Sequence, residues 1–220
     1  MRALAIDLKE VLSEISSMKS KANLLAIVGS QRKNGNSYLL AKAVLNSVDA
    51  DYEIVQLADK KMEFCNLCEK CISGDCVLED DFNDVLDKMK YADGIVFVVP
   101  KYLFVASKFL CFLERLNTLN HMRKHAGYER TFKNPDYKLF TEKPFCMFVA
   151  SGTGNVEKQT LEIVVNYIEG LGLRLVRHDK PSFLGVSIKA GDCKGEVLDN
   201  KQGIEECKRL VEKLIFLITK

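Results

Sequence analysis

Leu24-Leu25-Ala26-Ile27-Val28-Gly29-Ser30-Gln31-Arg32-Lys33-Asn34-Gly35-Asn36-Ser37 is the stretch on which the fold turns. Its first part is an unbroken apolar run ending in glycine, the pattern of a strand covered on both faces. A polar loop follows, and Ser37 opens a helical pattern through Leu39, Leu40, Ala43 and Val44. A buried strand running through such a loop into a helix gathers free backbone N–H groups at the positive helix end, which favours an anion. Ser30, Asn36 and Ser37 can add side-chain donors, and Arg32 can add charge. The loop has neither the closing Gly-Lys-Ser/Thr of a Walker A motif nor the GxGxxG spacing. A phosphate monoester therefore suits it better than a dinucleotide pyrophosphate. The plainer reading is that Asn34-Gly35 is a turn and Asn36 or Ser37 a helix cap.

Working outward, strands and helices alternate. Tyr52 to Leu57 reads as a second strand, Gly94 to Pro100 as a third, Phe145 to Ala150 as a fourth and Leu173 to Val176 as a fifth. Between them lie helical stripes. Phe82, Val85, Leu86 and Met89 mark one helix, capped by Asp80 or Asp81. Val105 to Leu119 is another. Leu161 to Leu171 is a third, closed by Gly170 or Gly172, and Ile204 to Ile218 is the last. This alternation predicts an α/β fold, a doubly wound five-stranded parallel sheet of order 2-1-3-4-5. Its ligand belongs beyond the strand C-termini, at the switch between strands 1 and 3. Leu4, Leu8, Val11, Ile15 and Met18 predict an extra N-terminal amphipathic helix over residues 1–22, ahead of a domain over 23–220. Asn120 to Glu142 is the least patterned stretch, and its basic residues, from Arg123 to Lys133, would steer an acidic partner or simply be solvated.

Composition narrows the function. With 32 Lys and Arg against 30 Asp and Glu, the 220-residue chain carries a formal charge of +2, which removes the electrostatic case for nucleic acid. Hydrophobic residues make up 47% and charged residues 28%, so the chain can build a core and is not disordered. Apolar runs such as Ile95 to Val99 fall far short of the ~20 residues of a membrane span. Asp7, Lys9 and Glu10 interrupt the place where a secretory signal would carry its apolar region. These features predict a cytoplasmic protein with no membrane partner.

In that reducing setting the 8 cysteines are not a disulfide framework. Cys65, Cys68, Cys71 and Cys76 form a compact C-x2-C-x2-C-x4-C loop over residues 65–76. Thiolates bind iron–sulfur clusters and zinc, and the C-x2-C-x2-C opening is shared with bacterial ferredoxins. Val77 rather than proline follows Cys76, so Cys76 is read as closing the same cluster, with Gly74 turning the chain back. A zinc site normally pairs two knuckles across a longer loop. Zinc and metal-free thiols are the alternatives. Cys111, Cys146 and Cys207 fall in apolar patterns and read as buried core; Cys193 falls in a loop.

Together these residues resemble a known family. Gly29-Ser30-Gln31-Arg32 with Gly35-Asn36-Ser37 is similar to the FMN phosphate loop of the NAD(P)H-dependent FMN reductase-like flavoproteins. The cysteine loop is similar to that of their iron-sulfur flavoprotein branch. Asp80-Asp81-Phe82, Pro100-Lys101-Tyr102, Lys108, Glu114-Arg115 and Lys194-Gly195-Glu196 follow in the family's order.

The resemblance implies a flavodoxin-like fold with FMN and a [4Fe-4S] cluster, in a homodimer or homotetramer. Ser30, Arg32, Asn36 and Ser37, around Gly35, would hold the phosphate. Pro100, Lys101, Tyr102 and Leu103 would line one side of the flavin ring, and Ser151, Gly152, Thr153 and Gly154 the other. Such a protein passes electrons between FMN, the cluster and an external partner, a ferredoxin or NAD(P)H. No side chain acts as a nucleophile. A flavin or quinone-type reductase with metal-free cysteines is the alternative. A non-catalytic metal-thiolate module is the third reading, against which the phosphate cradle argues.

Overall fold

A computed structural model describes residues 21–102, 104–124, 137–152, 158–179 and 184–220, without the side chains of 158–160. The N-terminal helix expected over 1–22 lies almost wholly outside them. Six strands are present among the described residues: β1 (Asn23–Val28), β2 (Asp51–Gln56), β3 (Gly94–Pro100), β4 (Lys143–Ser151), β5 (Leu173–Leu175) and β6 (Val186–Lys189). Five helices join or cover them: α1 (Asn36–Leu45), α2 (Phe82–Tyr91), α3 (Ser107–Lys124), α4 (Lys158–Gly170) and α5 (Lys201–Ile218). The sheet is parallel in the order β2-β1-β3-β4-β5, as the alternation predicted.

The fifth position is divided between two strands. Lys143–Phe145 of β4 pairs with β5, and Phe148–Ser151 pairs with β6. Residues 176–185 run between these two short edge strands.

The period of two along each central strand sorts the core into two halves. Leu25, Ile27, Ile95, Phe97, Val99, Phe145, Met147 and Val149 face α2, α3 and α4. Leu24, Ala26, Val28, Val96, Val98, Cys146, Phe148 and Ala150 face α1 and α5. Each fully buried side chain of this size stabilises the fold by roughly 1.5–3 kcal/mol. Phe97 also meets Phe109 and Phe145 edge-on, with both centroid separations 5.8 Å. Lys143 at the start of β4 donates to the carbonyls of Met89 and Lys90, at 2.9 and 2.7 Å, and to that of Ala92, closing the C-terminal end of α2.

One helix runs past its expected end, and another is capped by one of its two expected residues. The helix expected to stop at Leu119 continues to Lys124, held by polar contacts that periodicity does not register. Asn120 Oδ1 accepts from Leu139 N at 2.9 Å, and Arg123 donates to Gly74 O at 2.8 Å. At α2, Asp81 stands at the N-cap position without a side-chain capping bond, while Asp80 Oδ1 accepts from Phe82 N at 3.1 Å.

Candidate functional site

The register brings four loops to one edge of the sheet. Val28 pairs with Val98, Pro100 with Ala150, and Ser151 with Lys189, so the chain leaves β1, β3, β4 and β6 on the same side. β1 leads to β2 in one direction and β3 to β4 in the other, which opens a crevice between β1 and β3.

Gly29 N donates to Val98 O at 2.9 Å and keeps the chain flush with the sheet as it leaves β1. A Cβ at Gly29 would stand 2.8 Å from Val99 Cγ1 and 2.9 Å from Phe109 Cβ, so only glycine fits without displacement. Ser30 Oγ then accepts from Arg32 N at 3.0 Å. Asn34 takes a left-handed φ of 51°, supported by Gln56, whose Oε1 accepts from Asn34 N at 2.8 Å. The first rung of α1 is Leu39 N to Gly35 O at 3.0 Å. The N–H groups of Asn36, Ser37 and Tyr38 thus precede the helical ladder and have no carbonyl within it.

A cleft of about 360 Å³ opens at this edge. Ser30, Arg32, Gly35, Asn36, Ser37, Pro100, Lys101, Tyr102, Ser151 and Gly152 line it. These are the sequence-predicted cofactor residues that lie within the described chain. Leu103, Thr153 and Gly154 lie outside it.

Sequence reasoning missed the opposite wall. Ala190, Gly191, Asp192 and Lys194 complete the cleft. They are held there by Asn36, whose Nδ2 donates to Ala190 O at 2.8 Å and Cys193 O at 2.9 Å, while its Oδ1 accepts from Gly195 N at 2.7 Å. The Asn36 carboxamide is therefore engaged with the 190–195 loop, which leaves its main-chain N–H for the cleft. Only the Lys194-Gly195-Glu196 run hinted at this wall. Gly191 has φ +70°, and a Cβ there would overlap Glu196. Arg32, Lys33 and Lys194 bring positive charge to the lining and Asp192 brings one carboxylate. The volume lies within the ~300–1,000 Å³ of small-ligand sites. A phosphate-bearing flavin fits this combination of helix N-terminus and net positive lining.

The cysteine loop packs against α3 and the core beneath it. Gln31 donates to Ser107 Oγ. Together with Met62, Phe64, Lys108 and Cys111 these two residues line a second cavity of about 310 Å³. Gln31 belongs to the phosphate loop and Phe64 precedes Cys65.

Polar contacts fix the base of the loop. Glu63 N donates to Asp80 Oδ2 at 2.7 Å and Lys61 N to Asp81 Oδ2 at 2.6 Å. Asn83 brackets Cys76, accepting from its N–H at 3.2 Å and donating to its carbonyl at 2.7 Å. Arg123 Nη2 holds Gly74 O at 2.8 Å and Asp75 Oδ1 at 3.0 Å. Arg115 is buried, pairs with Asp80, and donates through Nη2 to Cys76 Sγ at 3.1 Å. Burial opposes the Arg115 charge, but the hydrogen bonds to Asp80 and Cys76 outweigh it and hold the guanidinium above its ordinary value. Sequence reasoning noted Arg115 only as a landmark.

The four loop cysteines form no disulfide; Cys68 is exposed and the other three half-buried. Burial pushes the Cys71 thiol up, a backbone hydrogen bond draws it down, and Cys76, Cys68 and Cys65 add upward pushes of their own. Among the described residues, no three of His, Cys, Asp and Glu are gathered closely enough to hold a metal. Four soft donors on one loop nevertheless suit a cluster in chemistry and placement. Nothing lies within 4 Å of a Cβ built at Gly74, so the loop is uncrowded at this turn. Cys111, Cys146 and Cys207 are buried, as their apolar patterns predicted. Among the described residues, no helix is long and apolar enough to cross a membrane.

Comparison with known proteins agrees with the fold. Residues 22–179 match the family model described as NADPH-dependent FMN reductase. The chain is 26% identical over 200 residues to an iron-sulfur flavoprotein of Methanocaldococcus jannaschii, covering 87% of this chain and 94% of that one. It is 38% identical over 81 residues to an iron-sulfur flavoprotein of Archaeoglobus fulgidus, covering 36% and 40%. Among solved structures, RosB with bound 8-demethyl-8-formylriboflavin-5'-phosphate superposes with a TM-score of 0.65 at 16% identity, covering 90% of this chain and 79% of that one. The NAD(P)H:(acceptor) oxidoreductase FerB of Paracoccus denitrificans gives 0.56 at 12% identity, covering 90% and 97%. Likeness at these identities establishes a shared fold.

Proposed function

The chain belongs to the NADPH-dependent FMN reductase family, and on that premise we propose that it is an iron-sulfur flavoprotein. In this reading it passes electrons between FMN, a [4Fe-4S] cluster and an external redox partner, a ferredoxin or NAD(P)H. The observation that carries the reading is the presence in one chain of a cleft at the N-terminus of α1 and a loop of four cysteines without a disulfide. Gln31 of the phosphate loop and Phe64, the residue before Cys65, line one cavity.

The phosphate would lie at the N-terminus of α1, on the N–H groups of Asn36 and Ser37, with Arg32 and Lys194 balancing its charge. Asn36 keeps the 190–195 wall closed against that end. Pro100, Lys101 and Tyr102 would flank the ring on one side. Lys101 N donates to Ala150 O at 2.9 Å and Tyr102 N to Phe104 O at 3.2 Å, which fixes this turn. Ser151 and Gly152 would flank the other side. Cys65, Cys68, Cys71 and Cys76 would hold the cluster. Bound FMN supplies one- and two-electron chemistry and the cluster one-electron chemistry, so a two-electron donor can feed a one-electron acceptor. The protein's part is to bind and orient both.

The test is iron, sulfide, zinc and FMN quantitation on protein purified without oxygen. Four irons and four sulfides per chain with bound FMN are expected. Stoichiometric zinc without iron would refute the reading.

A second reading, an FMN or quinone-type reductase with metal-free cysteines, draws on the ungathered sulfurs. It predicts rapid NAD(P)H oxidation that survives Cys68→Ser.

A further inference from the structure

Arg115 is an unusual place to find a guanidinium. Its side chain is 1% exposed and that of its partner Asp80 is 0% exposed. A buried charge is costly unless its donors are matched. Nη1 is matched: it pairs with Asp80 and donates to Glu63 O at 3.2 Å. Asp80 is matched in turn by the N–H groups of Glu63 and Phe82. The guanidinium lies 4.1 Å from the Phe82 ring centroid. Its Nε is buried without a hydrogen-bond partner, while Nη2 points to Cys76 Sγ at 3.1 Å. A neutral thiol is a weak acceptor for such a donor, whereas a metal-bound thiolate is a strong one.

We infer that Arg115 is a positioning residue that donates through Nη2 to the Cys76 sulfur and raises the reduction potential of the four-cysteine cluster. This rests on the reading of Cys65, Cys68, Cys71 and Cys76 as cluster ligands. Reduction adds one electron; no bond forms or breaks, and the guanidinium keeps its protons. The added electron increases the negative charge on the ligand sulfurs, so a fixed cationic donor stabilises the reduced form more than the oxidised one. Arg123 plays a different part. It donates to Gly74 O and Asp75, which holds the loop's outer turn rather than a sulfur.

The experiment uses the full chain purified without oxygen. Iron and sulfide are counted first, and the cluster potential is then measured by titration with dithionite as reductant, followed by electron paramagnetic resonance. Arg115→Gln is expected to make reduction at least tenfold less favourable, a fall of about 59 mV for one electron. Arg115→Lys, which keeps the charge but loses the planar fork, should lie between Gln and wild type. A second measurement needs no substitution at Arg115. In wild type labelled with guanidino-15N arginine, electron–nuclear double resonance of the reduced cluster should detect a 15N coupling that persists in Arg123→Gln. If Arg115→Gln fails to hold iron, this coupling decides the matter. Wild type with four irons but no 15N coupling, or Arg115→Gln at the wild-type potential, overturns the inference alone. Wild type without iron overturns the cluster reading and the inference with it.

Discussion

Replacing Asn36 by alanine tests how the cleft is held together. The substitution removes three hydrogen bonds of 2.7 to 2.9 Å, to Ala190 O, Cys193 O and Gly195 N. At about 1 kcal/mol net apiece they amount to ~3 kcal/mol. The Cys193 contact is exposed, so water replaces it cheaply and ~2 kcal/mol is the better figure. For a chain of this length that lowers the melting temperature by roughly 4–8 °C. The loss also falls on ligand binding, because the released 190–195 wall carries Asp192 and Lys194. If ~1.4 kcal/mol of reordering moves onto the bound state, FMN affinity drops about tenfold. Thermal melts followed by circular dichroism give the first number, and titration of quenched FMN fluorescence on cofactor-stripped protein gives the second. Asn36→Asp keeps the acceptor for Gly195 N, loses both donor bonds and adds a negative charge beside the phosphate, so it should bind FMN more weakly than Asn36→Ala. An Asn36→Ala protein that melts at the wild-type temperature and binds FMN with wild-type affinity would refute the reasoning.

Three further outcomes follow from the packing and the charges. Gly29→Ala forces a Cβ to within 3 Å of Val99 and Phe109; it should cost ~1–3 kcal/mol in urea unfolding, and an unchanged midpoint would contradict the close packing. Burial alone would raise the Asp80 carboxyl, but hydrogen bonds from Arg115, Glu63 N and Phe82 N hold it below its ordinary value. Its contribution is therefore complete above the unfolded value of ~3.9 and is lost as pH falls through the depressed one. Asp80→Asn should lose ~3–5 kcal/mol at neutral pH and flatten the acid limb of stability against pH; an acid limb as steep as wild type would count against it. Burial pushes the Cys146 and Cys207 thiols far above the ordinary thiol range, while Cys193 is exposed. Thiol labelling of native protein read by mass spectrometry should find Cys193 modified and Cys146 and Cys207 spared until the protein is unfolded.

The central strands were legible because each is an apolar run that no other element of this length explains. Their division into two faces was not, since Leu24 and Leu25 are equally apolar and only the helices packed on them tell them apart. β6 escaped notice because Val186-Ser187-Ile188-Lys189 is too short to carry a pattern; its strand character comes from pairing with Phe148–Ser151. The phosphate loop could be read locally, strand to loop to helix. The far wall could not, because Asn36 meets Ala190 across 154 positions. Arg115 looked like any charged residue on an amphipathic helix. What buries it is Asp80, 35 positions earlier, on a loop whose path depends on the same ion pair.

The divided fifth position also bears on how the sheet ends. An open parallel sheet has two edges, each a template for unwanted pairing with another chain. On the β4 side the template is broken into two strands of 3 and 4 residues, too short to seed an intermolecular ladder. On the opposite side β2 offers 6 residues, but Asp51 and Glu53 stand exposed along it. A second copy laid on that edge would bring its own carboxylates against these, so charge on one margin and shortness on the other both act against strand addition.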